Sequence, residues 1–256
     1  MTTTAHDNMS FLEHLEELRW HVIRSLIAII SAGFICFLMK DFIFDTIIFG
    51  PKKMDFPTYK FLCQAATFIG VETTFCGDEF PFVVQNRTMA GQFSAHVMTS
   101  VIAGFIISFP YVLYEFWKFI SPGLLAKEKS KSRGFIFISS LLFFIGVLFG
   151  YYIICPLSIN FLGTYQVSSE VLNEIDLGSF ISLVRSSAIA SGIIFELPII
   201  IYFLTKAGVV TPKSLVKYRK YALVLVLILA AIITPPDVAS QIIVAIPIVI
   251  LSQVSI

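Results

Sequence analysis

The chain has 256 residues, of which 57% are hydrophobic and only 14% are charged. Such a composition is too apolar for an ordinary soluble domain and indicates a membrane protein. The formal net charge of +1 at pH 7 points to neither a nucleic acid nor a strongly acidic partner.

The first predicted element is a helix that begins at Ser10, since Ser10 and Glu13 have the spacing of a capping box. The apolar residues that follow recur at helical spacing, and Glu13 and Glu17 fall on the opposite face. Acidic residues at a helix start often form only a solvated face that complements the helix dipole. On this pattern alone, Glu17 is either such a surface residue or a functional carboxylate.

Six apolar stretches are candidates for membrane-spanning helices, each of which needs about 20 residues. They are residues 22–39, 89–114, 134–154, 177–205, 221–233 and 238–256. The fifth has only about 13 residues and is too short to span a bilayer without local thinning. Pro235 and Pro236 separate it from the sixth, because proline interrupts a helix. The sequence therefore predicts an all-α integral membrane protein with six transmembrane helices, forming one polytopic domain over residues 1–256.

The basic residues predict the orientation of these helices, because short cytoplasmic loops are rich in Lys and Arg. Two loops are basic, after the second and fourth spans, and together they hold Lys118, Lys127, Lys129, Lys131, Arg133, Lys206, Lys213, Lys217, Arg219 and Lys220. The loop 155–176 contains neither Lys nor Arg. We therefore expect both basic loops and both termini in the cytoplasm, and an outer loop over about 41–88.

Two cysteines, Cys63 and Cys76, lie in this outer loop. On the oxidising side of a membrane, a disulfide between them would stabilise the loop by roughly 3 kcal/mol in the chain-entropy model. The alternative is two free thiols, since the compartment is the main argument for the bond.

Glu196 is the main anomaly within the predicted spans, because an ionised carboxylate in a bilayer is costly and usually faces a cavity or a partner. Pro198 should kink the helix beside it. One interpretation is a protonated glutamate that is hydrogen-bonded between helices. Another is a coupling-ion site in a proton- or ion-coupled secondary transporter, although the chain lacks the repeated halves typical of such proteins.

The sequence contains none of the motifs that indicate an enzyme or a metal site: it lacks H-E-x-x-H, G-x-S-x-G and a phosphate-binding glycine loop. We therefore expect neither catalysis nor a cofactor. A purely structural membrane scaffold is a further alternative.

Four motifs together resemble the TatC family, the C subunit of the twin-arginine protein translocase. They are HLEELR at 14–19, FISPGL at 119–124 followed by Glu128, FELP at 195–198, and TPPDVASQ at 234–241. The resemblance covers nearly the whole chain, and each motif falls on the expected side of the six predicted helices. It implies a glove-shaped helix bundle with two short C-terminal spans in the bacterial inner membrane.

The resemblance also implies a function: recognition of twin-arginine signal peptides at the cytoplasmic face, and assembly of a complex that moves folded proteins by the proton-motive force. Glu17 and Glu128 match the two signal-recognition carboxylates, and Phe119 matches a neighbouring aromatic residue. A carboxylate suits this role because its two oxygens can accept two parallel hydrogen bonds from one guanidinium.

Two further sites follow from the resemblance. Glu196 matches a buried glutamate on the concave face of the bundle. Thr234 and Gln241 match a polar cluster that docks the single-span subunits TatA and TatB. Self-association is also expected.

Overall fold

The structure, a computed structural model, describes residues 11–70, 76–77, 79–120, 132–168 and 170–206, together with 224, 228, 241 and 245–247. The fifth and sixth predicted spans lie almost entirely outside the described residues. So do Glu128, Thr234 and most of both basic loops.

The described part of the chain is predominantly helical. Its helices are α1 (Phe11–Leu38), α2 (Pro57–Ile69), α3 (Gly91–Ile120), α4 (Ser132–Phe149), α5 (Cys155–Thr164), α6 (Leu177–Phe195) and α7 (Leu197–Lys206). Wider π-helical turns at Phe42–Ile48 and Gly150–Ile154 follow α1 and α4, and a short 3₁₀ turn occupies Gly50–Lys52.

Four helical runs among the described residues are long and apolar enough to cross a membrane: Leu15–Leu38, Gly91–Ile120, Gly134–Thr164 and Leu177–Tyr202. They confirm the first four predicted spans and the prediction of an all-α integral membrane protein. The third span was predicted to end at 154, which is wrong, because helix continues through the π-helical turn into α5. Pro156, the second residue of α5, has no N–H to donate to the preceding turn, and the wider π-helical turn lies directly before it.

The chain divides into two compact units, and the smaller comprises residues 1–38 and 100–140. In it, α1 and α3 run antiparallel and approach closely at Gly33 and Gly104. A Cβ atom added to Gly104 would lie 2.6 Å from the carbonyl oxygen of Ile29, so no larger side chain fits without a shift. Small residues let helices approach closely in a membrane, where packing rather than water drives their association. We call this arrangement the helix pair.

The larger unit comprises residues 39–99 and 141–256. It contains a two-stranded parallel sheet, in which β1 (Phe82–Gln85) pairs with β2 (Asn173–Asp176). Asp176 ends β2 and also caps α6, because its Oδ2 accepts hydrogen bonds from the N–H groups of Gly178 (2.9 Å) and Ser179 (3.3 Å). The sheet thus joins the predicted outer loop to the start of the fourth span.

The described residues of the predicted outer loop, 41–88, form a folded segment rather than a simple connection. Tyr59 of α2 is fully buried, and its hydroxyl lies 2.9 Å from the carbonyl oxygen of Pro51 and 3.0 Å from that of Pro156. Phe56 stacks on Tyr152, with 5.4 Å between ring centroids. These contacts tie the segment to the end of the third span.

Candidate functional site

The candidate site begins with a polar contact at one end of the helix pair. His21 Nδ1 of α1 lies 2.6 Å from Glu115 Oε2 of α3, and the two residues are 94 positions apart in the chain. Only 2% of the Glu115 side chain is exposed, so its carboxylate needs donors to offset the loss of water. We therefore take Nδ1 of His21 as the donor and the carboxylate as the acceptor.

Two further side chains surround the Glu115 carboxylate. The phenol of Tyr111 hydrogen-bonds to it from one turn earlier on α3. Arg24 Nη1 of α1 lies 3.9 Å from Glu115 Oε2, with about half of the arginine side chain exposed. The buried carboxylate is therefore held by donors from both helices, which fixes their register at this end.

Glu17 and Phe119 lie at this same end of the helix pair. Glu17 precedes His21 by about one helical turn, and Phe119 meets the His21 ring edge-on, with 6.2 Å between ring centroids. Glu17 is half-buried, and its Oε2 has no hydrogen-bond partner among the described residues. This oxygen is itself buried, so its capacity to accept a hydrogen bond is unmet in the described part of the chain. The neighbouring Glu16 is exposed and already pairs with Arg19 at 3.2 Å.

Glu128, the second carboxylate that the resemblance implies, lies outside the described residues. Its distance from Glu17 and the joint role of the two residues stay predictions.

Glu196 lies at the break between α6 and α7. Its backbone N–H donates to the carbonyls of Ile193 and Ile194, and its own carbonyl accepts from Ile199 and Ile200, each at 3.0 Å. Pro198, in the first turn of α7, explains why one helix ends and another begins here. The Glu196 side chain is 9% exposed. Its functional role stays a prediction.

The remaining predicted site residues lie in other parts of the chain. Cys63 and Cys76 are joined by a disulfide in the structure. Gln241 is helical and half-buried, while Thr234, its predicted partner, is outside the described residues. No group of three His, Cys, Asp or Glu side chains that could hold a metal ion occurs in the described part of the chain.

Sequence reasoning missed His21 and Glu115. The second span was predicted to end at Tyr114, whereas α3 continues to Ile120 and therefore includes Glu115. An ionisable residue within a span is a signal of function, but the early boundary placed Glu115 in a loop. Arg185 of α6 was also assigned no role from the sequence. Its Nε and Nη1 are buried without a hydrogen-bond partner among the described residues.

Comparison with known proteins agrees with the motifs. The sequence profile of the family described as "Sec-independent protein translocase protein (TatC)" matches residues 13–247. The TatC protein of Blattabacterium sp. subsp. Periplaneta americana is 47% identical over 98% of this chain and 94% of its own length. That of Aquifex aeolicus is 35% identical over 97% of this chain and 93% of its own.

A solved structure shows the same fold. It is the crystal structure of the twin arginine translocase receptor TatC in DDM, whose sequence is 34% identical to this one. The two structures superpose with a TM-score of 0.72 over 95% of this chain and 97% of the other. The profile match, the two relatives and the shared fold each extend over nearly the whole chain. The chain therefore belongs to the TatC family of Sec-independent protein translocase proteins.

Proposed function

We propose that this chain is the core subunit of a twin-arginine translocase, which binds twin-arginine signal peptides and nucleates the complex that moves folded proteins across the bacterial inner membrane. The observation that carries the proposal is the buried carboxylate oxygen of Glu17, which has no hydrogen-bond partner among the described residues and lies one turn from His21, whose ring meets Phe119. Family membership favours this function over the ion-coupled transporter that Glu196 alone left open.

The chemistry of the site suits a pair of arginines. A guanidinium presents a planar fork of N–H donors that a carboxylate accepts bidentately, whereas a lysine ammonium is a point charge. We assign one arginine to Glu17 and the other to Glu128. Each such charge-assisted bond contributes roughly 1.5–3 kcal/mol, so losing one should weaken binding by about one to two orders of magnitude. Phe119 supplies an apolar surface beside the first arginine.

The test uses the full-length protein in lipid nanodiscs and a fluorescent signal peptide with two arginines. We expect Glu17→Gln and Glu128→Gln each to weaken binding by about tenfold to a hundredfold. The matched control is Glu16→Gln, since Glu16 is exposed and already paired with Arg19. A peptide with two lysines should bind the unsubstituted protein less tightly. Equal affinity of the Glu17 and Glu16 variants would show that the site lies elsewhere.

We assign Glu196 a role in transport as a buried polar group. It needs to be polar rather than charged, because it lies in a span with little contact with water. Glu196→Gln should therefore retain export of a twin-arginine substrate, and Glu196→Leu should impair it. Ser186→Leu, on an exposed position of α6, is the control. Full export by the Glu196→Leu variant would reduce the residue to a structural role.

Docking of single-span TatA- and TatB-type subunits is proposed at Thr234 and Gln241. Polar side chains can hydrogen-bond to a partner helix in lipid, each contributing roughly 0.6–2 kcal/mol. The double change Thr234→Leu with Gln241→Leu should weaken co-purification of such a subunit. Unchanged co-purification would assign docking to other residues.

The orientation of the chain follows from its basic loops, which place both termini in the cytoplasm. Single cysteines introduced at positions 60 and 128 of a cysteine-free variant would test it. Lys60 is exposed on α2, so position 60 should react with an impermeant reagent added to intact cells. Reaction at position 128 instead would reverse the scheme.

A further inference from the structure

A cavity of about 620 Å³ lies in the larger unit, at the ends of several membrane spans. Lys40 and Asp41 line it just after the first span ends at Leu38. Gln92 and His96 line it from the first turns of the span that begins at Gly91, and Leu177 is the first residue of α6. Side chains that flank span ends lie at the boundary between the acyl chains and water. The cavity therefore opens where phospholipid headgroups lie.

The cavity carries equal numbers of opposite charges. Lys40 and Lys52 contribute two ammonium groups, and Asp41 and Asp45 contribute two carboxylates, which gives a formal charge of zero. The Lys40–Asp41 pair, at 3.8 Å, is exposed and therefore weak. Neither the Asp45 carboxylate nor the Lys52 ammonium forms an ion pair with any other described residue. Both signs of charge are thus available to a ligand that carries both.

Aromatic side chains form part of the cavity wall, which is otherwise completed by Val84, Asn86, Gln92 and Leu177. Phe44 packs against His96 with 5.7 Å between ring centroids, and Phe49 stacks on Phe180, also at 5.7 Å. Phe93 lines the same cavity but leaves 67% of its side chain exposed. A small soluble zwitterion would not cover an exposed phenyl ring at a span end. The glycerol and first acyl carbons of a lipid would do so.

We propose that this cavity binds the headgroup of a zwitterionic aminophospholipid of the phosphoethanolamine type. Lys52, with Lys40, takes the phosphate, Asp45, with Asp41, takes the ammonium, and Phe93 contacts the start of an acyl chain. The lipid belongs to the leaflet at this end of the spans, which is the outer leaflet in the orientation proposed above. This inference goes beyond signal-peptide recognition and uses none of its residues.

The same charges select against other lipids. A phosphocholine headgroup has no N–H donors, so it cannot form charge-assisted hydrogen bonds with Asp45 and Asp41. A phosphoglycerol headgroup has no cation, so it would leave both carboxylates facing a phosphate without compensation. Losing one charge-assisted bond corresponds to roughly a tenfold loss of affinity.

The experiment measures lipid retention by native mass spectrometry of the full-length protein. The protein is released from detergent with equal amounts of phosphatidylethanolamine, phosphatidylcholine and phosphatidylglycerol. We expect phosphatidylethanolamine to be retained about tenfold more than either competitor. Asp45→Asn and Lys52→Gln should each remove most of this preference. Asp55→Asn and Lys60→Gln, exposed residues of the same segment that do not line the cavity, should leave it unchanged.

Three outcomes would overturn the proposal. One is equal retention of the three lipids by the unsubstituted protein. Another is a preference that survives in both cavity variants when their melting temperatures match those of the controls. The third is complete displacement of the lipid by an equal concentration of soluble glycerophosphoethanolamine, which would assign the cavity to a water-soluble ligand.

Discussion

The internal contacts that stabilise the helix pair differ from those that stabilise the larger unit. In the first span, 17% of the most apolar window is buried within the structure, whereas in the span that begins with α6 the share is 44%. The helix pair depends on the close approach at Gly104 and on the polar contact around Glu115. The larger unit is stabilised by paired strands, a buried tyrosine, a disulfide and a capped helix. Glu17, the carboxylate proposed to bind the signal peptide, belongs to the unit with fewer such contacts.

This difference has a consequence for substitutions. In the helix pair, the contact that fixes the register is one turn from the proposed site, so losing it should alter stability and binding together. In the larger unit, several independent contacts contribute to stability. Losing one of them should lower the free energy of unfolding without affecting signal-peptide binding. Substitutions in the two regions should therefore differ in whether peptide affinity changes together with stability.

The largest effect is expected from His21→Ala. This change leaves the buried Glu115 carboxylate without its nearest donor, which costs about 3–5 kcal/mol when no other group compensates. Arg24 and Tyr111 remain, so the loss should fall at the lower end of that range. Thermal unfolding and peptide binding measured on the same nanodisc samples should both be impaired. His21→Gln retains an N–H donor and should be milder in both assays. Unchanged peptide affinity in His21→Ala would separate the polar contact from the binding site.

The double change Cys63→Ser with Cys76→Ser should have the next largest effect. The disulfide closes a loop between residues separated by 13 positions, and a loop of this size contributes about 2–3 kcal/mol in the chain-entropy model. Unfolding should therefore occur at a lower temperature while peptide affinity stays the same. Mass spectrometry without reduction should find the two cysteines linked in the native protein. Free thiols at both positions would contradict the disulfide prediction.

Tyr59→Phe should have the smallest effect at neutral pH. The variant removes the donor that serves the buried carbonyls of Pro51 and Pro156, at a cost of about 1–2 kcal/mol. Cys63→Ser with Cys76→Ser serves as the comparison, because it weakens the same segment without touching this hydrogen bond.

The same tyrosine should also make the protein sensitive to alkaline pH. Burial, followed by the nearby Cys155, raises the pKa of Tyr59. The folded protein thus keeps the phenol proton at a pH where the unfolded chain, with an ordinary tyrosine pKa of about 10, releases it. Its contribution to stability is complete below about pH 10 and falls as the pH rises further. The difference between the unsubstituted protein and Tyr59→Phe should narrow from pH 8 to pH 11; a constant difference would rule out this linkage.

The sequence predicted the parts of the fold that depend on local pattern. Long apolar runs located the four described spans, and Pro198 located the break at Glu196, because both effects act within a few residues. It did not predict the pairing of His21 with Glu115, since nothing local connects residues 94 positions apart. It also missed β1 and β2, because four residues are too few for an alternating pattern and a parallel partner can lie anywhere along the chain.

The parallel pairing of β1 with β2 constrains how the protein is made. Arg87, just after β1, contacts Glu174 of β2, which is 87 residues further along the chain. At about 5–20 residues per second, a ribosome needs roughly 4–17 s to add that stretch. During this interval two further spans enter the membrane while β1 remains an unpaired edge, open to pairing with the wrong chain. Folding of the predicted outer loop must therefore wait until β2 has been synthesised, and a nascent chain released before residue 173 could not complete it.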